Sequence, residues 1–236
     1  RSTKQQCQRL WRVSRAVCSA TLRRDGELMA LRLTEGFDWT IAASDLPRKW
    51  NSGATQTGSL SNANARYGTG NGYRSFGISE PLQRTLDSQG TWVIGFAMYP
   101  VTISGTFQLL YFDDAGTTQC SLYAVNDTLE IRRGTATTLA TSAAVLSPNL
   151  WHFVEVKVII GNAGSMDVHI ATASVVSVSA TDVQTTGNAT ADRIQLFGHG
   201  NSSNRGWLDD IYILDGTGAV NNDFLGDVRV ETVFPD

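Results

Sequence analysis

The residues best suited to chemistry in this chain crowd near its end, in Trp207–Asp215, which reads WLDDIYILD. Taken as a strand, period-two geometry sets Trp207, Asp209, Ile211, Ile213 and Asp215 on one face and Leu208, Asp210, Tyr212 and Leu214 on the other. An Asp-Asp pair inside such a strand is costly unless each carboxylate meets hydrogen-bond donors, a cation or water. Glycoside hydrolysis needs two carboxylates flanking a cleft, whereas adjacent Asp209 and Asp210 point to opposite faces. Asp209 and Asp215 share a face but stand six positions apart, and Glu155 has no acidic neighbour two residues away. His152, His169 and His199 fall in separate elements, and no Ser or Cys is framed by a nucleophile elbow. The chain is therefore expected not to be an enzyme.

Binding has better material. Trp151, Phe153, Glu155 and Lys157 share one face of a strand whose other face is Val154, Val156, Val158 and Ile160. An exposed face that mixes rings and charges can hold sugar, because aromatic faces stack on saccharide rings while Glu and Lys fix hydroxyls. Gly68, Gly70 and Gly72 lie close enough to suggest a phosphate cradle. Neither a preceding buried strand nor a following helix accompanies them, so bends at a strand edge are the expectation.

The elements that must position these groups are short strands punctuated by turn residues. An opening strand runs from Ala30 through Glu35 and Gly36. TWVIGFAMYP then alternates Trp92, Ile94, Phe96 and Met98 with Val93, Gly95, Ala97 and Tyr99, ending at Pro100. Strands follow at 107–112, 120–125, 129–133, 151–160, 166–171, 175–179 and 193–197, with a turn at Asn126-Asp127. No sustained helical period appears. The spacing predicts an all-β, antiparallel two-sheet sandwich, and a jelly roll is favoured.

A chain of 236 residues, 42% of them hydrophobic and 17% charged, can bury one large core without a second domain. No run is long and apolar enough to suggest membrane insertion. Cys7, Cys18 and Cys120 have no metal-like spacing, and free thiols are the simpler reading than a Cys7–Cys18 bridge. Seven of the 19 Lys and Arg but two of the 22 Asp and Glu lie in residues 1–28, so residues 29–236 carry 12 basic and 20 acidic groups, a net of −8. That acidic balance argues against nucleic acid as a partner. Residues 1–28 form a basic leader, for which a membrane- or partner-touching amphipathic helix, a targeting peptide and translated upstream sequence compete. The last is preferred, because Gly26-Glu27 can be encoded by a purine-rich ribosome-binding sequence ahead of Met29.

Five stretches, taken in order, resemble the concanavalin A-like, laminin-G-like jelly rolls. ARYGTGNGYRSF resembles the family's Gly-Arg-aromatic strand, TWVIGFAMYP its aromatic strand ending in Pro, and NLWHFVEVKV its Trp-His strand. GSMDVHIATASV resembles the hairpin that follows, and WLDDIYILDGTG the late acidic strand. MALRLTEGFDW at the start and GAVNNDFLGDVRVETVFP at the end narrow the likeness to bacteriophage proteins of tail or capsid-surface type. The resemblance implies one domain over 29–236, a fragment of a longer chain. It implies a virion structural or adhesion protein, located in the virion, with other virion proteins and its own copies as partners and host-surface glycan as a ligand. A free carbohydrate-binding module is the alternative, with a glycoside hydrolase third.

The same resemblance places the opening strand beside Trp207–Asp215. Glu35 or Asp38 would then approach one of Asp209 and Asp210, and such carboxylates suit a hard cation, so a structural Ca²⁺ is the candidate ligand although no cofactor is required. The tail 219–236, with Val228, Val230 and Phe234 in alternation, is expected to close the core or to serve assembly at a sheet edge.

Overall fold

The alternating stretches form strands throughout the computed structural model, which describes residues 30–39, 42–51, 59–68, 70–74, 81–198, 206–217 and 219–231. The leader 1–28, the proposed start at Met29, Cys7, Cys18, His199 and Phe234 lie outside the described residues. In chain order the strands are β1 (Leu31–Glu35), β2 (Ser59–Ser61), β3 (Gly72–Arg74), β4 (Leu82–Gln89), β5 (Thr91–Tyr99), β6 (Thr106–Asp114) and β7 (Thr117–Val125). They continue as β8 (Thr128–Arg133), β9 (Thr137–Thr141), β10 (His152–Ile159), β11 (Gly164–Ile170), β12 (Ala173–Thr181), β13 (Ala191–Leu196) and β14 (Trp207–Asp215). No helix among the described residues is long and apolar enough to cross a membrane.

Two antiparallel sheets face each other. Sheet A runs β12-β11-β10-β5-β14-β3-β2, with β1 also paired to β14, and sheet B runs β4-β13-β6-β7-β8-β9. The fold is the expected all-β jelly-roll sandwich. Trp92, Ile94, Phe96 and Met98 of β5 enter the core between the sheets together with Phe112, Leu122, Ile131, Val156 and Ile194. Each such side chain contributes about 1.5–3 kcal/mol on leaving water. Val93 and Ala97 face the other way into a second apolar cluster on the outside of sheet A, so β5 is covered on both faces. The opening strand pairs with β14 from Leu31 opposite Leu214 to Glu35 opposite Ile211, beside the acidic strand as the resemblance implied.

One local feature changes the face assignment of β14. Asp209 lies opposite Ala97 but Tyr212 opposite Gly95, so three steps on β14 match two on β5 and one residue bulges. Asp210 takes the left-handed conformation, φ 48°, that Asp tolerates better than most side chains. The extra residue shifts the phase, and Leu208 joins Ile211 and Ile213 in the inter-sheet core rather than sharing a face with Tyr212. The two aspartates therefore do not point to opposite sides: Arg66 reaches both, its backbone N–H donating to Asp209 at 3.0 Å and its Nη1 to Asp210 at 3.2 Å.

Candidate functional site

The outer face of sheet A carries the predicted sugar-contacting strand, and it is covered. Phe153, Glu155 and Lys157 do share a face of β10, but residues 219–231 lie across it without forming a strand. Phe153 is 2% exposed in a cluster with Tyr212, Leu214, Val228 and Val230, while Trp151 is half-buried with its ring 5.5 Å from that of Tyr99. The Glu155 carboxylate accepts the N–H groups of Leu225 and Gly226 at 2.9 and 2.8 Å and the Tyr212 hydroxyl. Lys157 pairs with Asp223 at 3.0 Å. The Trp151, Phe153, Glu155 and Lys157 reading is thus corrected, because alternation alone cannot reveal that a distant irregular segment packs on a face.

Gly95 makes this arrangement possible. Tyr212 and Glu155 lie opposite it on either side, and the tyrosine ring passes over β5 so closely that a Cβ on Gly95 would sit 2.1 Å from a ring carbon. The tyrosine hydroxyl thereby crosses one strand to reach Glu155.

The same principle accounts for the acidic strand. Asp210 accepts the Val230 N–H at 2.7 Å and pairs with Arg66, which also meets Asp227 at 2.6 Å, the Val228 carbonyl at 3.2 Å and the rings of Tyr67 and Phe153 at 5.0 and 5.1 Å. Burial pushes the Asp209 carboxyl up to about 8, the Asp210 charge adding to it. Asp210 is also raised, again by burial first. Asp38 adds its charge to both, so three of the four proposed calcium ligands approach one another. Glu35 is directed elsewhere, accepting the Phe37 N–H and the Trp39 indole N–H at 2.8 Å with Lys49 at 3.6 Å. Among the described residues no group of three or more His, Cys, Asp or Glu is arranged to hold a metal ion, and the cation seated on Asp210 is the Arg66 guanidinium.

The outer face of sheet B has a different character. Strand pairing sets Gln195, Tyr111, Ser121 and Arg132 in one row across β13, β6, β7 and β8, with Tyr123 and Glu130 opposite each other in the next. The Tyr111 ring lies 5.8 Å from Tyr123 and 4.7 Å from Phe197, and the two tyrosine hydroxyls hydrogen-bond to each other. The Arg132 guanidinium stacks 3.9 Å from the centre of the Tyr123 ring while Nε and Nη2 donate to Glu130 at 2.9 and 2.6 Å. Arg193 grips Asp113 in the same manner at 2.9 and 2.6 Å, joined by the Gln195 amide. Burial, then the bond to Tyr123, raises the Tyr111 phenol, which stays a proton donor at ordinary pH. These polar groups bond to one another within the sheet, all three donors to Asp113 meeting its Oδ2 while its buried Oδ1 has no hydrogen-bond partner. At the rim an open polar hollow of about 620 Å³ adjoins Thr118, Arg133, Thr135, Asp182 and Gln184.

The three rings are nearly buried, Tyr111 7% and Tyr123 and Phe197 6% exposed with Arg132 lying over Tyr123, so what this face presents to a sugar chain is the half-buried guanidinium, carboxylate and amide groups of Arg132, Arg193, Glu130 and Gln195 that surround them. Four strands span ~14 Å, long enough for a short oligosaccharide.

The sandwich is similar to that of known lyases. Over 78% of this chain and 95% of the other, it superposes on an endo-β-1,4-glucuronan lyase from the fungus Trichoderma reesei with a TM-score of 0.55 at 12% identity. The PL-14 alginate lyase of Aplysia kurodai matches over 80% of this chain and 99% of its own, with a TM-score of 0.53 at 10% identity. The receptor binding domain of botulinum neurotoxin type G matches over 80% of this chain and 48% of its own, with a TM-score of 0.51 at 8% identity. No family model matches the sequence, and no curated protein matches it significantly.

These neighbours overturn the expectation that the chain is not an enzyme, since the fold is one on which lyases are built. The carboxylate spacing that argued against catalysis bears on hydrolysis alone. A proton can equally be moved by phenols, and the Tyr111–Tyr123 pair was not read from the sequence. Its signal was present: Tyr111 and Tyr123 occupy the outward positions of strands that had been recognised, as do Arg132 and Arg193.

Proposed function

We propose that this domain contacts carbohydrate through the outer face of sheet B. The observation that carries the reading is the half-buried group Arg132, Glu130, Arg193 and Gln195 held on a largely buried bed of the Tyr111, Tyr123 and Phe197 rings, with Arg132 stacked on Tyr123. The lyase and toxin-domain likeness in fold is consistent with it. The setting we propose is a virion surface, where a polysaccharide on the host is the ligand; the likeness of MALRLTEGFDW and GAVNNDFLGDVRVETVFP to bacteriophage tail or capsid-surface proteins supports that setting. The test is a glycan microarray followed by calorimetry on the best ligand. Tyr123→Ala with Arg132→Ala should weaken binding by about tenfold or more. Binding unchanged in the double variant, with the fold intact by circular dichroism, contradicts the assignment.

A second reading, elimination chemistry on a uronate-containing polysaccharide, is favoured by one feature, the hydrogen-bonded phenol pair beside the Arg132 guanidinium, where the Tyr111 phenol, held protonated by burial, would give its proton to the leaving oxygen. Glucuronan and alginate are the probes. Unsaturated ends released by the wild type and not by Tyr111→Phe or Tyr123→Phe assign the step to the pair, and no release from either polymer removes the reading for those substrates.

A further inference from the structure

The polar hollow at the rim of sheet B is assembled from three separate segments. The start of β7, the β8–β9 turn and the loop after β12 bring Thr117, Arg133, Thr135, Thr137, Asp182 and Thr185 around it. Its walls are fixed from beneath by Gln119, which is wholly buried. The Gln119 side-chain oxygen accepts the N–H groups of Thr185 and Thr186 at 2.7 and 3.0 Å, and Nε2 donates to the carbonyls of Asn188 and Thr190 at 2.7 and 3.1 Å. Its backbone carbonyl accepts the Gly134 N–H at 2.8 Å. Gly134 makes the turn at φ 57°, and a Cβ there would stand 3.1 Å from the Thr185 methyl, so glycine lets the loop close on the turn. A site held in this way loses little conformational freedom when it is filled.

The hollow offers one donor, one acceptor and a ring of hydroxyls. Arg133 Nη1 donates to Asp182 Oδ2 at 2.6 Å with the two side chains 38% and 41% exposed, and an ion pair so open to water contributes little to stability. Thr117, Thr135 and Thr137 are exposed, and their hydroxyls bond to no other group among the described residues. The two charges cancel, so the lining selects neither an anion nor a cation. A ligand whose groups both donate and accept can use Arg133, Asp182 and the threonines together, and neutral sugar hydroxyls are such groups. The volume of about 620 Å³ falls within the range of small-ligand sites. The hollow also begins where the sheet B face ends. Arg132, stacked on Tyr123, donates Nη1 to the Thr135 carbonyl at 3.4 Å, and the Ser121 hydroxyl donates to the Gly134 carbonyl at 2.5 Å. Along β8 the step from the Arg132 row to Gly134 is about 7 Å. We propose that the hollow is a subsite for one neutral hexose unit, with Asp182 accepting from and Arg133 donating to adjacent hydroxyls. The inference rests on the carbohydrate reading of the sheet B face and adds to it a sugar class and a second place of contact.

The test is an amide and methyl NMR titration of the full chain with glucose, galactose and mannose, each to ~100 mM, repeated on Arg133→Ala/Asp182→Ala. At least one sugar should shift Thr117, Gly134, Thr135 and Thr137 saturably, and the double variant should weaken that binding by about tenfold. Absence of shifts at these residues with all three sugars overturns the subsite and leaves the carbohydrate reading standing, because the Tyr123→Ala/Arg132→Ala comparison judges the face by itself. Saturable shifts whose affinity the double variant leaves unchanged overturn it equally. Should the double variant fail to fold, Thr135→Val/Thr137→Val, which removes two hydroxyls with little change of shape, is read by the same criterion.

Discussion

The two outer faces of this sandwich are built from similar residues and put to opposite uses. On sheet A, Phe153, Glu155, Lys157, Asp210 and Tyr212 look in sequence like an exposed mixed surface. They are instead an anchoring bed: the carboxylates of Glu155 and Asp210 accept backbone N–H groups from residues 225, 226 and 230, a segment with no sheet ladder of its own. On sheet B, Tyr111, Tyr123, Arg132, Arg193, Glu130 and Asp113 pair within their own sheet. Polarity of side chains does not distinguish the faces. What does is whether the acids hold a distant backbone or a neighbouring side chain.

The contrast breaks most visibly at Phe153. Phe153→Ala removes a ring packed among Tyr212, Val228 and Val230 and should cost about 3–5 kcal/mol in denaturant unfolding. A loss within the ±0.5 kcal/mol of surface substitutions would mean the face is open after all. Glu155→Ala leaves the Leu225 and Gly226 N–H groups and the Tyr212 hydroxyl without their acceptor. It should cost about 2–3 kcal/mol and raise amide exchange across 223–231 more than elsewhere. Uniform exchange would show that the segment is held by apolar contacts alone.

How much of this was legible in the sequence follows from the same contrast. β5, β7, β8, β10 and β14 were readable because their apolar residues alternate or run continuously. β4, LQRTLDSQ, was missed because an edge strand facing solvent has few apolar positions, and β9, TTLAT, because it is short and threonine-rich. The Asp210 bulge left no pattern of its own, since a one-residue slip is invisible until the partner strand is known. The covering segment was foreseen as closing the core or seeking an edge. It does close the apolar cluster, by lying across a face, because Asp210 and Glu155 supply acceptors that a ladder would otherwise provide. The sheet B cluster needs the pairing of four strands before Gln195, Tyr111, Ser121 and Arg132 form a row.

A smaller effect tests the acids themselves. Asp209 has its folded carboxyl raised to about 8, above the ordinary value near 3.9, so the folded state holds a proton that the unfolded chain has released. Its contribution to stability is complete below pH ~4 and is lost as pH rises through about 8. Asp209→Asn should therefore be less stable than the wild type at pH 5 and gain relative to it by pH 8. A difference constant with pH would place Asp209 ionised in the fold. The smallest effect concerns calcium. With Arg66 seated on Asp210, excess Ca²⁺ should move the melting temperature of metal-stripped protein by less than ~1 °C, whereas a rise growing with concentration would establish a site there.

The division of labour between the faces is tested most directly by mapping a bound oligosaccharide with backbone and side-chain NMR shifts. The perturbed residues should be Tyr111, Tyr123, Glu130, Arg132, Arg193, Gln195 and Phe197 on sheet B, with Phe153, Glu155 and residues 223–231 unmoved. Shifts concentrated on Trp151, Phe153, Glu155 and Lys157 would contradict the account and return the sugar to the face that the covering segment occupies.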